Sequence, residues 1–159
     1  MFKQLTRVVI FGALALTASL MACAVATDEA SAYSAGQHRA ITFISSHVDV
    51  AVHVADTASA AATANGNGDW QRAIKLIRHS SNDYAKLHRQ WLAVPVAGGA
   101  VERLERQFDA LLNNIGVYGT CVAKSIAGDG SSANVVRGLK AWDRALVNLS
   151  NVLIELEVL

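Results

Sequence analysis

Five histidines are the side chains of this sequence best suited to bind a metal ion or to transfer protons. They are His38, His47, His53, His79 and His88. Two of them have an aspartate four residues away along the chain: Asp49 precedes His53, and Asp83 follows His79. Residues four apart lie on one face of an α-helix, so each pair can offer two ligands. Such pairs are also frequent on polar helix surfaces, and we assign neither of them as a metal site.

The established metal and haem motifs are absent from the sequence. Di-iron helical bundles need Glu-x-x-His on two helices, and covalent haem attachment needs Cys-x-x-Cys-His. Neither pattern occurs, and neither does the His-Glu-x-x-His of zinc peptidases. A haem held by His and Met is also disfavoured, because Met1 and Met21 both fall in the leader segment described below. We therefore predict no metal site and no cofactor.

Catalytic motifs are missing as well. No supported Ser–His–Asp arrangement and no Gly-x-Ser-x-Gly is found, and no glycine-rich phosphate loop is followed by a lysine. Gly66, Gly68, Gly128 and Gly130 lie in short polar segments that are typical of turns. The sequence thus predicts a protein that is not an enzyme and has no catalytic residue.

His88 and Cys121 each allow two interpretations. His88 falls on the apolar side of a predicted helix, where we expect a hydrogen-bonded or partly solvated side chain. The alternative is an axial ligand or a pH-sensitive contact. Cys121 lies between apolar residues and is expected to pack as a small hydrophobe. A reactive thiol would need a cationic neighbour, and Lys124 is the nearest charge in the sequence.

Four predicted helices position these residues, over about 37–64, 69–94, 101–127 and 131–158. In each of them apolar residues recur at alternating steps of three and four, which is the helical period. We call the row of residues at this spacing the seam of the helix. The seam of the second helix contains both apolar and polar residues: Trp70, Ile74, Ile77, Ser81, Tyr84, His88 and Trp91. The fourth has a wholly apolar one, formed by Val135, Leu139, Trp142, Leu146, Leu149, Leu153 and Leu156.

Short turns separate helices of similar length, so neighbours in sequence should run antiparallel. The predicted fold is an all-α, antiparallel up-down-up-down four-helix bundle over residues 37–159, following an N-terminal signal segment. Folding back at Pro95 should also bring a basic stripe with Lys86 and Arg89 beside an acidic stripe. The acidic stripe comprises Glu102, Glu105 and Asp109. We therefore expect ion pairs between the second and third helices.

Gly116 and Gly119 are unusual within the third helix, since each weakens a helix by roughly 1 kcal/mol relative to Ala. They can mark tight helix contact, a bend, or room for a ligand. Tyr118 and Trp142 should come level when the third and fourth helices fold back about Gly130. These residues, with Cys121 and His88, define the alternative function: a binder of a small ligand, haem or metal in the bundle core.

Residues 1–26 are predicted to be an export signal. Lys3 and Arg7 precede an uncharged apolar run over residues 8–22, which is short for a membrane span of about 20 residues. Cleavage before Cys23 would give a lipoprotein, because the four residues 20–23 (Leu-Met-Ala-Cys) resemble the bacterial lipobox. Ordinary cleavage after Ala26 is the competing interpretation. Residues 27–36 are polar and small, as expected for a flexible tether.

Charge excludes one class of partner. The 14 basic residues include Lys3 and Arg7, and the 13 acidic residues nearly balance them, so no net field attracts nucleic acid. We therefore predict an exported protein that is anchored through lipid on Cys23 on the periplasmic or extracellular side, or that is soluble after ordinary cleavage. It would act as a non-enzymatic interaction module. Its partner would be an envelope protein that contacts an outer face or the end near Trp91 and Pro95.

Overall fold

The computed structural model describes residues 33–157, and this part of the chain contains four α-helices and no strand. The helices are α1 (Ala35–Gly66), α2 (Trp70–Leu92), α3 (Glu102–Ile126) and α4 (Ser132–Glu157), with a 3₁₀ turn at Gly99–Val101. The predicted all-α class with four helices is confirmed. The predicted export signal, the lipid site at Cys23 and residues 27–32 of the tether lie outside the described residues. Within residues 33–157, no helix has both the length and the hydropathy to span a membrane.

Polar side chains begin three of these helices. Ser34 and Gln37 form a reciprocal capping box at the start of α1. The Asp69 carboxylate accepts a hydrogen bond from the backbone N–H of Arg72, which confirms the predicted cap of α2. The Ser131 hydroxyl accepts one from the N–H of Asn134 at the start of α4. Each of these bonds satisfies a backbone donor that the helix itself leaves free.

Helix α1 packs closely on α2 and α3 because its inner face is built from small residues. Ala51, Ala55, Ala58 and Ala61 are almost completely buried there. Phe43 of α1 lies against Trp91 of α2, and Val54 of α1 lies against Ser80 of α2. A serine fits at such a contact, since its hydroxyl can donate to the Val54 carbonyl at 2.8 Å.

Helix α3 contacts each of the other three helices and supplies the centre of the core. All seven of its predicted seam residues are buried: Val101, Leu104, Phe108, Leu111, Ile115, Tyr118 and Val122. Helix α4 makes its close backbone contacts with α3. The predicted α4 seam is confirmed, with Trp142 and Leu149 buried and the remaining five residues packed against the core.

The predicted seam of α2 is confirmed at Ile77 and Trp91, which are buried, and is wrong at Trp70, Ile74 and Ser81. Trp70 is 54% exposed, and Ile74 and Ser81 also lie on the outside. The side chains that face the core include Ala73 and Ser80 instead. The inner face of α1 carries small side chains, so the backbones of α1 and α2 can approach closely. Close approach favours the face of α2 that also carries small side chains, Ala73 and Ser80.

The predicted ion pairs between α2 and α3 are also wrong. Among residues 33–157 the ion pairs are His79–Asp83, Arg103–Glu155 and Arg106–Glu102, and none involves Lys86 or Arg89. Glu105 is buried and Asp109 accepts a hydrogen bond from the Trp91 indole N–H. These two carboxylates therefore bind uncharged donors near the core rather than lysine or arginine at the surface.

Candidate functional site

Two histidines and an aspartate converge on the outer surface between α1 and α2. His53 comes from α1, and His79 and Asp83 come from α2; one ligand atom from each lies within 4.8 Å of the other two. The His79 Nε2 atom is 3.3 Å from an Asp83 carboxylate oxygen. Imidazole nitrogen and carboxylate oxygen are both ligands of divalent transition ions. This is the group within residues 33–157 whose atoms could share one metal ion.

The backbone beside this cluster is fixed by a buried hydrogen bond between the two helices. Ser80, next to His79, donates its hydroxyl proton to the carbonyl of Val54, next to His53. The neighbourhood also contains Asp56, whose pKa is raised by burial of its carboxyl group and lowered to a smaller extent by the charge of His53. The cluster therefore sits on a helix pair whose register is fixed beside both histidines.

The other histidines are separate from this cluster. The His88 ring stacks on the Tyr84 ring with centroids 5.6 Å apart and an interplanar angle of 8°. His88 is half-buried, as the milder sequence interpretation expected. The His47 ring stacks on Phe43 at 3.9 Å, and its Nδ1 atom lies 2.8 Å from the Phe43 carbonyl oxygen. His38 is exposed near the start of α1.

Gly116 and Gly119 differ in their surroundings. The Tyr84 ring covers Gly116 so closely that a Cβ atom there would lie 2.6 Å from the Tyr84 hydroxyl oxygen, whereas no atom lies within 4 Å of a Cβ at Gly119. Tight contact therefore explains Gly116 only. Tyr84 and Gly116 line a groove of about 580 Å³ that opens to solvent. Cys121, a half-buried free thiol, lines this groove as well.

Tyr118 and Trp142 occupy the interior but are offset along their helices. Tyr118 lies opposite Gly138, where a Cβ atom would be 3.2 Å from the Tyr118 Cα, so Trp142 follows about one helical turn later. The Tyr118 hydroxyl is 3.0 Å from that of Ser59, and burial raises the pKa of the phenol. The Trp142 indole N–H is buried and has no hydrogen-bond acceptor among the described residues.

The segment between α2 and α3 is held by a buried carboxylate. Glu105 is 6% exposed, and its two oxygens accept hydrogen bonds from the backbone N–H groups of Ala97 and Gly98, at 2.8 and 3.0 Å. The Gln37 amide of α1 donates to the Gly98 carbonyl at 3.2 Å. Gly98 and Gly99 have φ near +60°, a conformation that glycine adopts easily.

The last residue of α2 and this fixed segment each present an apolar side chain to solvent. Leu92 is 68% exposed and Val96 is 89% exposed. The neighbouring Trp91 is buried against Phe108 of α3, with ring centroids 5.0 Å apart. The end of the bundle near Pro95 therefore offers Leu92 and Val96 for contact, and not Trp91.

Sequence reasoning noted the Asp49–His53 and His79–Asp83 pairs separately and missed the convergence of His53 with His79 and Asp83. A usable signal was present, because Gly66, in the predicted turn between the first two helices, lies midway in sequence between His53 and His79. A symmetric hairpin about this glycine would place the two histidines opposite each other. The role of Glu105 had no comparable signal, since it depends on the conformation of an irregular segment.

Comparison of the chain with protein families, curated proteins and solved structures finds no match.

Proposed function

We propose that this chain is an exported, lipid-anchored envelope protein whose helical bundle serves as a non-enzymatic interaction module. The bundle would have the antiparallel up-down-up-down order. Contacts that support this order include Phe43 with Trp91 and Arg103 with Glu155, which pair residues in opposite senses along successive helices. The predicted signal over residues 1–26 supports export, and Cys23 supports a lipid anchor on the periplasmic or extracellular side.

The observation that carries the interaction role is the fixed apolar segment after α2. An exposed loop usually loses conformational freedom when it binds, and that loss weakens the complex. Here the Glu105 carboxylate and the Gln37 amide already hold the backbone in one conformation. Leu92 and Val96 can therefore be buried by a partner at a small entropic cost. The partner would be another envelope protein with a complementary apolar surface.

Photo-crosslinking in the intact envelope tests this role. A photoreactive amino acid at Val96 should give one defined adduct, since this side chain lies at the centre of the proposed contact. The same amino acid at Val147 of α4 is the matched control, because Val147 is also an exposed valine but lies on another helix. No adduct from position 96, or the same adducts from both positions, would contradict the proposal.

The anchor has its own test. Labelled palmitate should be incorporated into the wild-type protein and not into Cys23→Ala. A mature N-terminus at Thr27 would instead establish ordinary cleavage after Ala26 and a soluble periplasmic or secreted protein. This experiment is independent of the crosslinking result, since the interaction surface lies in the bundle.

A small ligand, haem or metal in the bundle core is the second candidate function. The unpaired, buried indole N–H of Trp142 favours it, because a buried donor normally has an acceptor and a bound molecule would supply one. Native mass spectrometry and visible absorbance of protein purified from its host would test this. A noncovalent ligand mass that is retained by the wild type and lost in Trp142→Phe supports the alternative; a colourless protein that carries no noncovalent ligand excludes it.

A further inference from the structure

The cluster formed by His53, His79 and Asp83 is not used by the interaction role, and its chemistry is specific. An ordinary surface ion pair explains why His79 and Asp83 lie four residues apart on one helix. It does not explain why an imidazole of the neighbouring helix is within 4.8 Å of both of them. Three side chains from two helices thus point to a common position in space.

This convergence is built into the contact between α1 and α2. The small residues Ala51, Ala55 and Ala73 are fully buried, which allows the two backbones to approach closely. The hydrogen bond from Ser80 to the Val54 carbonyl fixes the register directly beside both histidines. The two histidine backbones are therefore held in place, and only exposed side-chain torsions need to change for the rings to close around an ion.

The distances suit a first-row transition ion. Zn²⁺ binds histidine nitrogen and carboxylate oxygen at about 2.0–2.2 Å, which sets tetrahedral ligand atoms roughly 3.3 Å apart. The His79–Asp83 separation is already 3.3 Å. The remaining contraction, from at most 4.8 Å, is within reach of rotation of the exposed His53 side chain.

We propose that His53, His79 and Asp83 form a surface site for a divalent transition ion of the zinc type, with water at the fourth position. The ion would join α1 to α2 outside the core. Lys75 and Arg78 line the groove next to His79 and repel cations, so we expect micromolar rather than tighter binding.

Zinc titration of the full chain, purified from the envelope and freed of metal with EDTA, tests the site. Isothermal titration calorimetry with ZnCl₂ should show one saturable site. Because the ion joins two helices only in the folded state, a hundredfold excess over the dissociation constant should raise the melting temperature by roughly 5–15 °C. EDTA should reverse this increase.

Histidine variants separate this site from adventitious binding. His53→Ala and His79→Ala should each weaken zinc binding at least about tenfold, an effect that loss of a supporting hydrogen bond alone can produce at metal sites. Both residues are exposed, so the metal-free variants should melt like the metal-free wild type. His38→Ala is the matched control, since it removes an exposed histidine of the same helix outside the cluster, and it should bind zinc like the wild type.

Three results would overturn the proposal. The first is the absence of saturable zinc binding by the wild type. The second is an unchanged affinity for zinc in His53→Ala, which would show that only His79 and Asp83 of α2 bind the ion. The third is an equal loss of affinity in His38→Ala, which would show that zinc binds histidines of this surface without selection.

Discussion

Replacement of Glu105 by glutamine should strongly destabilise this protein, although it exchanges only one carboxylate oxygen for an NH₂ group. The carboxylate is buried and accepts two backbone N–H groups, from Ala97 and Gly98. A hydrogen bond to a charged group contributes about 1.5–3 kcal/mol, and a buried donor without a partner costs about 1–3 kcal/mol. Glutamine keeps one accepting oxygen but turns its NH₂ group toward the other N–H. We therefore expect Glu105→Gln to lower the free energy of unfolding by about 2–4 kcal/mol.

Urea unfolding followed by circular dichroism measures this change, and Glu102→Gln is the matched control. Glu102 lies one turn earlier on α3 and pairs at the surface with Arg106, so its replacement should cost no more than about 1 kcal/mol. The dependence of the unfolding free energy on urea should be the same in both variants, since neither changes the surface exposed on unfolding. If Glu105→Gln were no less stable than Glu102→Gln, our account of this segment would be wrong.

Two further predictions concern the glycines of α3 and the buried phenol. Both Gly116→Ala and Gly119→Ala gain helix propensity, but only the alanine at position 116 would collide with the Tyr84 ring. Gly119→Ala should therefore raise the free energy of unfolding by about 0.5–1 kcal/mol. In urea unfolding, Gly116→Ala should be about 1–2 kcal/mol less stable than Gly119→Ala. Equal stabilities would show that the ring moves freely. Burial raises the pKa of Tyr118 in the folded state above the ordinary value of 10.0, so the unfolded chain releases this proton first. The contribution of Tyr118 to stability is therefore complete below pH 10 and declines as pH rises through the folded pKa. Tyr118→Phe should flatten this alkaline decline relative to wild type, and an unchanged decline would assign it to other groups, including Tyr84, whose pKa is also raised by burial.

How well each helix could be predicted depends on how many ways its side chains can pack. The α4 seam contains no polar residue, so only one face of that helix can meet the core, and Trp142 and Leu149 lie where the pattern placed them. Helix α2 carries large side chains on more than one face. Its choice between Ile74 and Ala73 depends on the small surface of α1, which the sequence of α2 alone does not contain.

The candidate sites were predictable to different degrees for the same kind of reason. The candidate metal cluster combines the His79–Asp83 pair with His53 of the other pair, and only the register between α1 and α2 was needed to bring His53 to His79. The sequence predicted Glu105 at the surface, because it lies on the acidic stripe with Glu102 and Asp109. Its burial depends on the glycine conformations at Gly98 and Gly99, which determine where the backbone N–H groups point.

If the chain is tethered by its N-terminus, as proposed, the bonds around Gln37 have a mechanical consequence. The Gln37 amide oxygen accepts the backbone N–H of Ser34, while its nitrogen donates to the Gly98 carbonyl. A pull on the chain ahead of Ser34 is thus shared at once between α1, the segment after α2 and, through Glu105, α3. Tension would load three elements in parallel instead of peeling the first helix away one turn at a time.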